Sequence, residues 1–185
     1  MKCLDRWIDN TNIEGTLLAS NPIFQFSLAA FNREDLFEQA VDTAITILRR
    51  FRCSEMAIIA TLFPRAVAMN ELWQANVRQL QAAEDPEDCE DQANICRAIC
   101  RLATEAAEAC MPVIVGDSDN GQMSLVSLLI DCVAYRFDFG IARIPLRLFN
   151  EICWDIQRAR DHLIREDLDY EPGEDYEPRS QLSIR

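Results

Sequence analysis

The sequence predicts an all-α fold, an α-solenoid of helical hairpins. Apolar residues recur at steps of three and four along several long segments, and glycine and proline are scarce, at 5 and 7 of 185 residues. The helical segments also carry more apolar surface than a single partner helix can cover, which is the signature of pairs stacked on one another. At 49% hydrophobic residues the chain has material for a core, enough to bury roughly 70% of its unfolded surface.

Caps and breakers set the order of elements. Cys3 to Asp9 reads as the end of a helix with no N-cap before it, so the first helix of the chain is expected to be cut. Asn21-Pro22 supplies an N-cap followed by proline at the first helical position, opening a short helix with Ile23, Phe24, Ser27, Leu28 and Phe31 on one face. Asn32 is expected to cap the next helix, and Glu34 and Asp35 suit its positive end. In that helix Phe37, Val41, Ala44, Leu48 and Phe51 recur until the basic end at Arg49, Arg50 and Arg52.

Ser54 caps a longer helix whose apolar side includes Leu62, Ala66, Leu72, Trp73, Val77 and Leu80, and Pro64 should bend it. Its partner is expected to begin at Asp85-Pro86 and to run toward Met111-Pro112. A last pair covers Gln122 to Arg136 and Ile141 to Leu163; Leu125, Val126, Leu129, Cys132 and Val133 line the former, and Ile144, Leu148, Ile152, Ile156, Ala159 and Leu163 the latter. About three pairs plus a partial N-terminal helix result, over residues 1–165, with an acidic disordered tail over 166–185. Within the tail, Asp169-Tyr170-Glu171-Pro172 repeats as Asp175-Tyr176-Glu177-Pro178. The unequal pair lengths fit irregular HEAT or armadillo-like repeats better than tetratricopeptide or ankyrin ones.

The net charge of -13 is concentrated. The turn Glu84, Asp85, Glu87, Asp88, Glu90 and Asp91 and the last twenty residues hold eleven of the thirteen charges. Nucleic acid as a direct partner is excluded by the lack of clustered Lys and Arg, whereas basic protein segments would be attracted to the turn. Those six carboxylates are the candidate partner-binding residues. No segment has the ~18 consecutive apolar residues of a membrane span, and no signal peptide precedes the first helix, so an intracellular protein is expected.

Catalytic and metal readings fail on spacing. Cys89, Cys96, Cys100 and Cys110 share one helical stripe with Ala93, Ala103 and Ala107, as small buried apolar groups would, and there is neither a C-x-x-C pair nor a second histidine beside His162. Asp138-Phe139-Gly140 spells a kinase metal-binding triplet without the rest of the kinase set and reads as a turn between helices. Asp117 to Gly121 hints at a calcium loop, but Leu128 stands where a bidentate glutamate is needed. Glu105 and Glu108 lie one turn apart and are expected to be solvated. No enzyme, cofactor or metal is expected.

Taken in order, Cys3-Leu4-Asp5-Arg6-Trp7-Ile8, Leu36 to Asp42, Leu62-Phe63-Pro64-Arg65-Ala66-Val67-Ala68 and Ala103 to Ala109 resemble the transportin-3/importin-13 branch of the importin-β superfamily. The resemblance implies a middle HEAT-repeat fragment of a nuclear transport receptor. It further implies a surface that contacts protein cargo or the GTPase Ran from inner helices and phenylalanine-glycine nucleoporins from outer grooves, in a protein that moves between cytoplasm and nucleus. The N-terminal repeats that chiefly grip Ran in the family are not among these residues. A non-transport helical-repeat scaffold, or a truncated cargo-sequestering product, is the alternative.

Overall fold

The structure, a computed structural model, describes residues 6–8, 14–51, 56–83, 89–109 and 120–168. Among them the chain is all-α, a stack of helical hairpins without strands. After a helical turn at 6–8 come α1 (Gly15–Ala19), α2 (Pro22–Ala29), two 3-10 turns (Ala30–Asn32 and Glu34–Leu36), α3 (Phe37–Arg50), α4 (Met56–Ala82), α5 (Glu90–Ala109), α6 (Asn120–Val133) and α7 (Phe139–Leu168). Two compact units divide it, residues 1–148 and 149–185.

In the first unit α4 and α5 form the central hairpin. α3 packs beside α5, α6 packs beside both, and α1 lies on α4. Each hairpin thus covers the surplus apolar face of the next, as repeat stacking requires. The core gathers at these contacts: Leu62, Ala66 and Trp73 from α4, Val41 and Leu48 from α3, and Ile99 and Leu102 from α5 are all at most 2% exposed.

The expected start of α2 is realised, with the Asn21 side chain accepting from the Ile23 amide at 2.8 Å. The expected cap at Asn32 is not. Asn32 closes a 3-10 turn, Arg33 is extended, and α3 begins at Phe37 with no side-chain cap. Arg33 and Asp35 pair at 2.8 Å inside this short linker. They hold a local turn, and the buried edge-to-face contact of Phe31 with Phe37 spans the linker. Ile23, expected on the inner face of α2, is 59% exposed, while Phe24, Ser27, Leu28 and Phe31 are buried. α1 carried no periodic signal, since only Leu17 and Leu18 are large and apolar; Leu18 alone is buried.

α4 runs through Pro64, and α7 contains a second internal proline, Pro145. The Asp138-Phe139-Gly140 turn is the junction of α6 and α7. The Asp138 carboxylate accepts from the Gly140 amide at 2.7 Å and from Arg97 of α5 at 2.9 Å. A Cβ at Gly140 would stand 2.9 Å from that same carboxylate oxygen, so the glycine makes room for the cap. Leu128, at the supposed calcium-ligand position, is fully buried.

Two further expectations are overturned. Glu105 is not solvated: it is 8% exposed and accepts from Arg49 of α3, the Nε donating at 2.8 Å. α5 is packed by α3, α4 and α6, and a carboxylate on its inner side can be accommodated only with a cation brought to it. The apolar stripe of α7 is also buried only in part. Leu148 is buried, but within the second unit Ile156 and Leu163 are 64% and 58% exposed, and Ala159 is exposed too. That segment of α7 instead carries local ion pairs, Arg158 to Asp155 and Arg160 to Asp161, both at 3.2 Å.

The expected caps at Ser54 and Asp85-Pro86, the residue Cys110, the end at Met111-Pro112, the motif up to Asp119 and the repeated tail sequence lie outside the described residues.

Arg49→Ala should lower stability by about 1–3 kcal/mol because it strips a buried carboxylate of a charged donor, whereas Arg33→Ala, in an exposed local pair, should leave it almost unchanged. Urea unfolding of the two variants tests the contrast. Hydrogen bonding from Arg97 holds the Asp138 carboxyl below its usual range. Its stabilising effect is therefore present above the unfolded carboxyl value of about 3.9 and is lost as pH falls through the lower folded value. Thermal melts of Asp138→Ala should show a deficit of about 1 kcal/mol at pH 6, shrinking toward zero as pH drops below about 4.

Candidate functional site

Of the six candidate carboxylates, Glu90 and Asp91 are exposed in the first turn of α5, where acidic side chains complement the positive helix end. Glu84, Asp85, Glu87 and Asp88 lie outside the described residues. The structure adds partners to Asp91 that the linear reading did not connect with it. Asp91 shares an open cleft of about 510 Å³ with Glu34, Asp35 and Glu38, which come from the second 3-10 turn and the start of α3; Phe37 and Ile95 supply its apolar base. These carboxylates are more than fifty residues from Asp91 in sequence, and only the packing of α3 on α5 brings them together.

Asp35 is neutralised by Arg33, whose hydrogen bond holds the carboxyl below its usual range. Glu34, Glu38 and Asp91 make no ion pair among the described residues. The cleft is thus a surface of unneutralised negative charge over an apolar base, suited to a cationic partner group.

Further along α5 the thiols are enclosed. Cys96, Cys100 and Cys132 are fully buried, and Cys100 donates to the Ile141 carbonyl at 3.6 Å. Burial pushes the Cys96 thiol up to about 12. The contact with Cys100, followed by burial, raises Cys132 as well. Tyr135 packs its ring against Trp73 at 5.3 Å beside this cluster, and burial raises its phenol. Thiols so far from ionisation are poor nucleophiles. Cys89 is half-buried, and Cys153, in the second unit, is exposed. Among the described residues no group of three or more His, Cys, Asp or Glu side chains is placed to hold a metal ion, and no helix is long and apolar enough to cross a membrane.

Treatment of the native chain with an excess of iodoacetamide at pH 7.5 should label Cys153 rapidly and leave Cys96, Cys100 and Cys132 unmodified until denaturant is added. Peptide mass spectrometry reads the sites; rapid native labelling of any of the three buried thiols contradicts their enclosure.

No curated protein and no solved structure matches the chain. A family model does: residues 90–170 match the Transportin-3/Importin-13 second TPR domain. The matched residues include α5, α6 and α7, helices of 20, 14 and 30 residues, whose unequal lengths differ from a uniform 34-residue repeat. The similar stretches at Cys3 to Ile8, Leu36 to Asp42 and Leu62 to Ala68 precede the match, and Ala103 to Ala109 falls within it. That family is one of transport receptors and not of enzymes. Over residues 90–170 the chain is thus similar to the transportin-3/importin-13 branch of the importin-β superfamily.

Proposed function

We propose that this chain is a protein-binding segment of a nuclear transport receptor, and that it contributes to import of protein cargo in a Ran-linked cycle between cytoplasm and nucleus. The observation that carries this is the match over residues 90–170. The distribution of charge supports the cargo side of the reading. Unneutralised carboxylates at the start of α5 and on the 3-10 turn and α3 attract basic protein segments, whereas nucleic acid would be repelled by them. The acidic turn of Glu84, Asp85, Glu87, Asp88, Glu90 and Asp91 extends the same charge along the sequence. Ran in its GTP form and phenylalanine-glycine nucleoporins are the further partners of this reading.

The test is retention of the chain on three immobilised ligands: Ran loaded with a non-hydrolysable GTP analogue, a phenylalanine-glycine-repeat peptide, and a lysine- and arginine-rich peptide. The reading expects retention on the basic peptide that weakens as salt rises, because exposed charges are screened within about 10 Å at 0.1 M, together with retention on Ran or on the repeat peptide. Binding to the basic peptide with none to either of the other two would make the chain a general scaffold. Binding to none of the three would remove the receptor reading.

A further inference from the structure

The acidic cleft opens onto a larger groove. This groove, of about 880 Å³, shares Glu34, Phe37 and Ile95 with the cleft and continues along one face of α4. α4 lines it from Arg65 to Gln79 in every turn, and Ala68, Leu72 and Ala75 lie on that face. From Arg65 to Gln79 the helix rises about 21 Å, so the trough is long. Phe31, Phe37 and Met69 close its floor and are buried, while Ala68 and Ala75 are exposed and small, which leaves the space above them open.

The walls determine what shape of partner fits. They come from the two 3-10 turns, α3, α4 and α5, whose backbone amides are engaged in their own helical turns. No strand edge is available among them. An extended peptide laid in the trough would leave backbone donors and acceptors unpaired against apolar walls, which is costly. A helix satisfies its own backbone and presents only side chains.

Charge determines the rest. Glu34, Glu38, Glu71 and Asp91 surround the junction of groove and cleft without an ion pair among the described residues, and Arg65 is the cation on the groove wall. We propose that the groove receives an amphipathic helix of a protein partner. Its apolar residues, spaced at three and four, lie along α4 between Arg65 and Gln79, and its Lys and Arg residues cluster at the end that meets Glu34, Glu38 and Asp91. This names a partner class for the acidic site of the preceding section and rests on that section only in taking the partner to be a protein.

The test uses the full chain and a fluorescent synthetic 14-residue peptide with leucines on one helical face and lysines clustered at one end. Fluorescence anisotropy should show saturable binding, weakened about tenfold or more by Ala75→Trp, which fills the trough, and by the pair Glu34→Lys and Glu38→Lys. A scrambled peptide of the same composition should bind about tenfold more weakly because it lacks the apolar face. Ala68→Trp provides a second filling variant, and circular dichroism verifies that each variant remains helical. Equal binding of the ordered and scrambled peptides, or full binding by both folded tryptophan variants, overturns the groove. Ran and repeat-peptide binding by the wild-type chain, measured alongside, separates the readings. Retained there with an unselective groove, it overturns this inference alone; lost there with a selective groove, it overturns the transport reading and leaves the groove standing.

Discussion

Everything in the first unit rests on the burial of α5. From Ala98 to Ala109 nearly every side chain of this helix is buried, because α3 and α4 pack on it together and α6 meets it as well. A helix covered on so many sides must present small residues, and here they are Ala98, Ala103, Ala106, Ala107 and Cys100. Close approach of the neighbouring helices then follows, and with it dense packing that tolerates little change in volume. The one carboxylate in the middle of this region, Glu105, is accommodated because Arg49 reaches it from α3. The pair therefore ties the first hairpin to the second at a point where apolar contact alone would not fix which turn of α3 faces which turn of α5.

That same burial decides where function can lie. Among the described residues the thiols of Cys96, Cys100 and Cys132 are enclosed, and burial holds Cys96 and Cys132 far from ionisation, which makes those two poor nucleophiles. What remains accessible is the first turn of α5, where Glu90 and Asp91 emerge beside carboxylates brought in by the 3-10 turn and α3. The groove along α4 begins at that junction. The stack thus displays negative charge next to an apolar trough, an arrangement suited to recognition.

Much of this was legible in the sequence because helix periodicity and caps are local signals. The stripe Phe37, Val41, Ala44, Leu48 and Phe51 is buried as its spacing requires, and Asn21-Pro22 opens α2. Signals that depend on neighbours distant in sequence were not legible. Glu105 has the spacing of a solvated residue, and only the position of Arg49, fifty-six residues away, explains its burial. Ile156 and Leu163 continue a stripe that in the second unit stays exposed, since periodicity records which face is apolar and not whether another element covers it. For the site, Asp91 stood out through the run of charge around it, but Glu34 and Glu38 could be joined to it only through the packing of α3 on α5.

The measurement that reaches the central claim most directly is native-state hydrogen exchange along α5. If this helix is the enclosed centre of the stack, its amides from Cys96 to Ala107 exchange most slowly of all described segments, at rates set by unfolding of the whole first unit. Exchange there as fast as in the exposed segment of α7 around Trp154 and Ile156 would contradict the account.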